Sequence, residues 1–126
     1  MSKCELSTIV LDGVEYVRAD SLPQHEPAET LDGLEYCMVR TYSAGVFAGY
    51  VKERKGKEAM LLNARRIWYW SGAASLSQLA TDGTSKPDTC KFPCEVSKVE
   101  LTEVVEVIPI TKKAQASIKA VKIWQQ

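Results

Sequence analysis

From Tyr36 onward the chain alternates with the period of a β-strand. In YCMVRTY the side chains of Tyr36, Met38, Arg40 and Tyr42 fall on one side and those of Cys37, Val39 and Thr41 on the other, as a pleated backbone requires. Ser43-Ala44-Gly45 then turns or bulges the chain into a run over residues 46–53. Inside that run Gly49 marks a bulge or a close approach to the backbone. Residues 54–57 make a further turn into EAMLLN, and 64–70 predict the strand that completes an antiparallel meander. Over 96–110 the alternation returns, with Val99, Leu101, Val105 and Val107 opposite Lys98, Glu100, Thr102 and Glu106, until Pro109 ends the strand.

Two segments change period. Residues 71–83 predict a short helix: Ser75 and Gln78 have the spacing of a capping box, and Gly83 suits the left-handed position after the last turn. Thr111 caps a second helix in which Ala114, Ile118 and Val121 recur at helical spacing, its other face carrying Lys112, Lys113, Gln115 and Lys119. Nearer the N-terminus, residues 7–18 read as a hairpin around Asp12-Gly13, followed by a loose arm with Pro23 and Pro27. LDGLEY at 31–36 echoes LDGVEY at 11–16, but six residues are too few for a structural repeat. The pattern predicts an α+β fold, mainly antiparallel β-sheet with two short helices, in a domain over residues 36–126 preceded by a hairpin and arm over 1–35. Exposed apolar and aromatic strand faces would make it oligomeric.

Composition narrows what such a domain does. At 126 residues, 45% apolar and 25% charged, the chain is an ordinary globular protein of one domain. Sixteen basic and sixteen acidic side chains cancel, which argues against the broad basic face that DNA or RNA polymers need and leaves room only for a local basic site. No apolar stretch reaches the roughly 20 residues of a membrane span, and the N-terminus has no signal-peptide core, so a cytoplasmic protein is expected. Cys4, Cys37, Cys90 and Cys94 are irregularly spaced and are expected as reduced thiols. Cys90, Cys94 and His25 are too few for a zinc site, so no metal is expected.

Catalysis has little to stand on. His25, the only histidine, lies in the Pro/Glu-rich arm, and Cys37 reads as a small core residue without an activating base. There is no GxSxG, no P-loop and no glycine-rich dinucleotide fingerprint. Neither a catalytic residue nor a cofactor is expected. Binding fares better in NARRIWYWSGAASLSQ, residues 63–78. An extended strand places Arg65, Ile67 and Tyr69 on one side and Arg66, Trp68 and Trp70 on the other, so each side holds a guanidinium and an aromatic ring. A guanidinium fork pairs with phosphate oxygens and a ring face stacks on a base, a combination that a nucleotide uses. The helix start near Ser75 adds backbone N–H groups, and Gly72, Ala73 and Ala74 allow close approach. Strand aromatics equally serve as core or subunit contacts, and paired arginines as solvated charges; on pattern alone both readings stand.

The runs VRTYSAGVFAGYVKERKGKEAMLLNARRIWYWSGAASLSQLATDG, residues 39–83, and LTEVVEVIPITKKAQASI, residues 101–118, resemble small bacteriophage proteins of the Thoeris anti-defence sponge family, the first type described. RTYSAGVFAGY, ARRIWYWSGAASLSQLA and EVIPIT stand in the family's order and spacing, over about two thirds of the chain. The resemblance implies a non-enzymatic sponge in the cytoplasm of an infected bacterial host. Such a protein sequesters glycocyclic ADP-ribose signals without degrading them and forms homo-oligomers, dimers or hexamers built as trimers of dimers. Some relatives also hold CBASS cyclic di- or trinucleotides at separate sites. Carried onto this sequence, it implies phosphate contacts from Arg40, Arg65 and Arg66. Stacking would come from Phe47, Trp68, Trp70 or Phe92, and hydroxyl or backbone contacts from Ser75 and Gln78, with Tyr42, Ser43 and Leu76 beside them. The alternative is a small phage structural or interaction protein with no small-molecule ligand.

Overall fold

The computed structural model describes residues 26–125 together with the strand pair β1 (Ile9–Val10) and β2 (Glu15–Tyr16), in which Ile9 opposes Tyr16 and Val10 opposes Glu15. The turn expected at Asp12-Gly13 and His25 lie outside the described residues. The main sheet is antiparallel and consists of β3 (Tyr36–Thr41), β4 (Val46–Lys55), β5 (Glu58–Arg66), β6 (Glu95–Leu101) and β7 (Val104–Pro109), in the order β6-β5-β4-β3-β7. Two helices, α1 (Leu76–Asp82) and α2 (Lys112–Ala120), complete an α+β fold.

The segment 96–110, expected as one strand, is two strands at opposite edges of the sheet. Only Thr102 and Glu103 join them. Four strand spacings put the edges of a flat sheet about 19 Å apart, whereas the three peptide steps from Leu101 to Val104 reach about 10 Å. The sheet must therefore roll until its edges approach, and main-chain bonds record the closure. Val104 N–H donates to Lys57 O at the tip of the β4–β5 ribbon, and Tyr42 N–H donates to Glu103 O, both at 2.9 Å. Bulges supply the curl. In β5 the register shifts where Asn63 takes φ 49°, and Gly49 opposite it makes room: a Cβ on Gly49 would lie 3.0 Å from the Ala64 Cα. In β7 the register shifts at Val105, which turns this residue outward at 51% exposure and points Val104 inward instead.

Rolling gives the sheet two buried faces. Val39, Phe47, Leu61, Ala64, Leu101 and Val104 fill the concave interior. Tyr36, Met38, Tyr50 and Ile67 pack on the other side against Leu79, Phe92, Ala114 and Ile118. This explains why β3 is buried on both sides of its alternation. Removing a Leu or Ile side chain from either face would cost about 2–5 kcal/mol.

The helices start as their caps predict. Ser75 Oγ accepts from Gln78 N–H at 3.1 Å and Thr111 Oγ1 accepts from Ala114 N–H at 3.1 Å. Thr111 also donates to Thr81 O at 2.6 Å, tying the two helices together. Gly83 ends α1 with φ 79°, and a Cβ there would lie 2.3 Å from the Ser117 Cβ of α2. Gln115, expected on the solvent face of α2, is buried instead. Residues 26–30 cover it: Gln115 Oε1 accepts from Glu29 N–H at 2.9 Å, and its Nε2 donates to Glu29 O at 3.0 Å and to the Tyr50 hydroxyl at 3.2 Å. Thus the end of the expected arm packs on α2, with Ala28 N–H donating to Ile110 O at 3.1 Å.

Candidate ligand site

The strand expected over 64–70 ends at Arg66, because its partner β4 begins at Val46 and the last ladder bond is Ile67 N–H to Val46 O at 2.8 Å. Beyond it the chain leaves the sheet and pairs with residue 91: the N–H groups of Trp68 and Tyr69 donate to Lys91 O at 3.1 and 3.2 Å, and Lys91 N–H donates back to Tyr69 O at 2.8 Å. Facing this segment is the β3–β4 turn. It is fixed from within by Thr41, whose hydroxyl donates to Gly45 O at 2.7 Å and accepts from Ala44 N–H at 2.9 Å. Its outer side is braced by the edge crossing, since Ser43 Oγ donates to Glu103 Oε1 at 2.5 Å. Between turn and segment lies an open cleft of about 390 Å³, with Ser43, Gly45, Arg66, Ile67, Trp68 and Trp70 in its walls.

The two adjacent arginines have different tasks. Arg65, only 5% exposed, donates through Nε to Pro93 O at 2.8 Å, through Nη1 to Ile118 O at 2.8 Å and through Nη2 to Phe92 O at 3.0 Å, with its guanidinium 5.4 Å from the Phe92 ring centre. Burial lowers its pKa, opposed by the nearby Tyr36 and Glu95. All three nitrogens are engaged by carbonyls, so the phosphate contact expected of Arg65 is corrected to a structural clasp that also caps the end of α2. Arg66 is exposed, its guanidinium 4.7 Å from the Phe47 ring centre, and it makes no ion pair among the described residues. It brings the cleft a cation with its donors unengaged by those residues.

Other expected contacts divide in the same way. Trp68, 61% exposed, and the half-buried Trp70 present indoles to the cleft with Arg66. Phe47 and Phe92 are corrected to core: Phe47 is sealed in the concave interior beneath Arg66, and Phe92 is wholly buried against the helices, so neither ring face can stack on a ligand. Ser75 and Gln78 are engaged at the helix start, Ser75 Oγ accepting from Gln78 N–H and Gln78 Oε1 reaching past the cap to accept from Ala74 N–H at 2.8 Å, and Leu76 packs against the helix-side core. Arg40 forms a surface ion pair with Glu106 at 2.8 Å and is not itself a cleft wall, although its cross-strand partner Val46 is; Tyr42 is 81% exposed. Cys37 is buried, and burial together with Glu35 pushes its thiol up to about 11, which keeps it protonated at neutral pH.

Sequence reasoning missed Gly45 and Ile67 as walls. It also missed an aromatic cluster beyond the cleft. There the Trp124 indole lies parallel to that of Trp68, with centroids 6.4 Å apart and planes 5° from parallel, and Lys91 Nζ stands 5.6 Å from the Trp124 ring and 6.0 Å from the Tyr69 ring. A lone Trp in the tail KIWQQ carries no periodicity that would reveal this pairing.

No curated protein and no solved structure matches the chain. One family model does, a domain of unknown function, DUF6948, over residues 34–118, which takes in the five-stranded sheet, both cleft walls and most of α2 but not Trp124. The chain belongs to the DUF6948 family.

Proposed function

We propose that the protein is a sponge that binds cyclic nucleotide signals of the glycocyclic ADP-ribose type and holds them without breaking a bond, as the resemblance to Thoeris anti-defence proteins implies. The observation that carries this reading is the cleft itself, where the exposed Arg66, the indole side chains of Trp68 and Trp70, and the Ser43–Gly45 turn line about 390 Å³. That volume lies within the roughly 300–1,000 Å³ of small-molecule sites. Arginine supplies a fork for phosphate and the indoles supply stacking planes. Cys37 offers no thiolate to attack a bound ligand. In this reading the protein acts in the cytoplasm of an infected bacterium as a dimer or hexamer, and CBASS cyclic oligonucleotides are further ligands at a separate site. Stoichiometric sequestration demands tight binding, on the order of nanomolar or about −12 kcal/mol.

The test is to incubate the protein with glycocyclic ADP-ribose, remove free ligand by filtration and recover the remainder by heating. Intact ligand is expected, and Arg66→Ala should retain little. A chemically altered product, or nothing retained by the wild-type protein, overturns the proposal. One observation favours the alternative of a ligand-free structural protein: Trp68, Tyr69 and Ile123 are exposed large apolar side chains flanking the 91–92 segment. On that reading Tyr69→Ser would break up an assembly, and no ligand would be retained to begin with.

A further inference from the structure

We infer that Trp124 and Trp68 form a clamp for a planar heteroaromatic ring attached to an anionic group, such as the base of a nucleotide whose phosphate sits at Arg66. The chain builds this pair deliberately. The segment at residues 91–92 is flanked on both sides: Trp68 N–H donates to Lys91 O at 3.1 Å on one side, and Trp124 N–H donates to Phe92 O at 3.0 Å on the other, where Ile123 makes a parallel bridge to Phe92. Strands on either side of a central one stand about 9.6 Å apart, yet the two indoles converge to 6.4 Å and lie within 5° of a common orientation. Stacked bases lie about 3.4 Å apart, so a flat ring between parallel indoles needs about twice that, and the pair, parallel already at 6.4 Å between centroids, has to open by at least a few tenths of an ångström to admit one. Lys91 Nζ, 5.6 Å from the Trp124 ring centre, adds a cation that favours a ligand with negative charge beside its ring. Trp68 belongs to both features, lining the cleft with Arg66 and facing Trp124. A ligand with base and phosphate would thus reach both at once.

The phosphate's position rests on the proposed cleft function, but the clamp is tested with simpler probes. Calorimetric titration of the full chain with AMP, adenosine and ribose 5-phosphate separates base from phosphate. AMP should bind more tightly than ribose 5-phosphate. Trp124→Ala should weaken AMP by about 5- to 150-fold, the range expected for one stacking plane, and leave ribose 5-phosphate unchanged. Trp124→Phe should retain most of the AMP affinity. Trp124→Leu keeps apolar bulk in the tail without a π face and should behave as the Ala variant does, so a loss of folding cannot pass for a loss of stacking. Equal AMP affinity in wild type and Trp124→Leu, or AMP binding no tighter than ribose 5-phosphate, overturns the clamp. If glycocyclic ADP-ribose is not retained while AMP binds in a Trp124-dependent way, sequestration fails and the clamp stands. If Trp124→Leu retains glycocyclic ADP-ribose as the wild type does, the clamp fails and sequestration stands.

Discussion

Arg65 and Arg66 are consecutive in sequence, yet one is enclosed by three carbonyls and the other opens to solvent above a phenylalanine ring. Removing the Arg65 guanidinium leaves buried acceptors unsatisfied at about 1–3 kcal/mol each, so Arg65→Met should destabilise the fold by about 3 kcal/mol or more. Arg65→Lys should recover only part of this, because one ammonium cannot reproduce a planar fork. Arg66→Ala should shift stability by no more than about 1 kcal/mol, the scale of an exposed cation–π contact, while abolishing ligand retention. Urea unfolding of the three variants checks the contrast. The sequence showed that this strand carries guanidinium and ring on each side. It did not show which side is interior, because both sides of a rolled sheet are covered.

A second residue-scale effect concerns Cys37. Its thiol titrates near 11 in the folded chain against a usual value of 9.0. Between those values the unfolded chain has lost the proton and the folded chain keeps it, so stability is full below about pH 9 and falls as pH rises toward 11. The urea midpoint should decline over that window, and Cys37→Val should flatten part of the decline.

Among the elements, local signals carried well where the chemistry is local. Ser75 and Gln78, Thr111, and Gly83 stand where helix caps and a stop demand them, and Ser75→Ala should cost about 1 kcal/mol. Gly49 signalled a close approach, which proves to be the bulged backbone of β5 at Ala64. Gly49→Val should destabilise by about 1–3 kcal/mol or more through overpacking, with a drop in thermal midpoint as the measure. The division of 96–110 was not legible, because the apolar parity of Val99 and Leu101 resumes at Val105 and Val107 and only Glu103 interrupts it, while period reports side-chain parity rather than neighbours. The burial of Gln115 was hidden for a similar reason: its partners, Glu29 and Tyr50, are remote in sequence.

At the scale of the molecule, the rolled sheet holds the cleft walls in place from behind. Tyr42 and Ser43, at the start of the turn that forms one wall, are bonded to Glu103 at the crossing, and the segment that forms the other is bonded to residue 91. Hydrogen exchange should therefore be slowest in β3 to β5, whose interior residues Val39, Phe47 and Leu61 are sealed, and faster along β6, exposed for most of its length.

The two-residue crossing also orders events in time. Neighbouring strands β3, β4 and β5 are joined by short turns and can zip together early, but Thr102 and Glu103 can bridge the outer strands only once the ribbon has already curled. They act as a latch that shuts last. Folding kinetics should show this as substitutions at Glu103 that accelerate unfolding and barely alter the rate of folding, whereas substitutions at Leu61 slow folding itself.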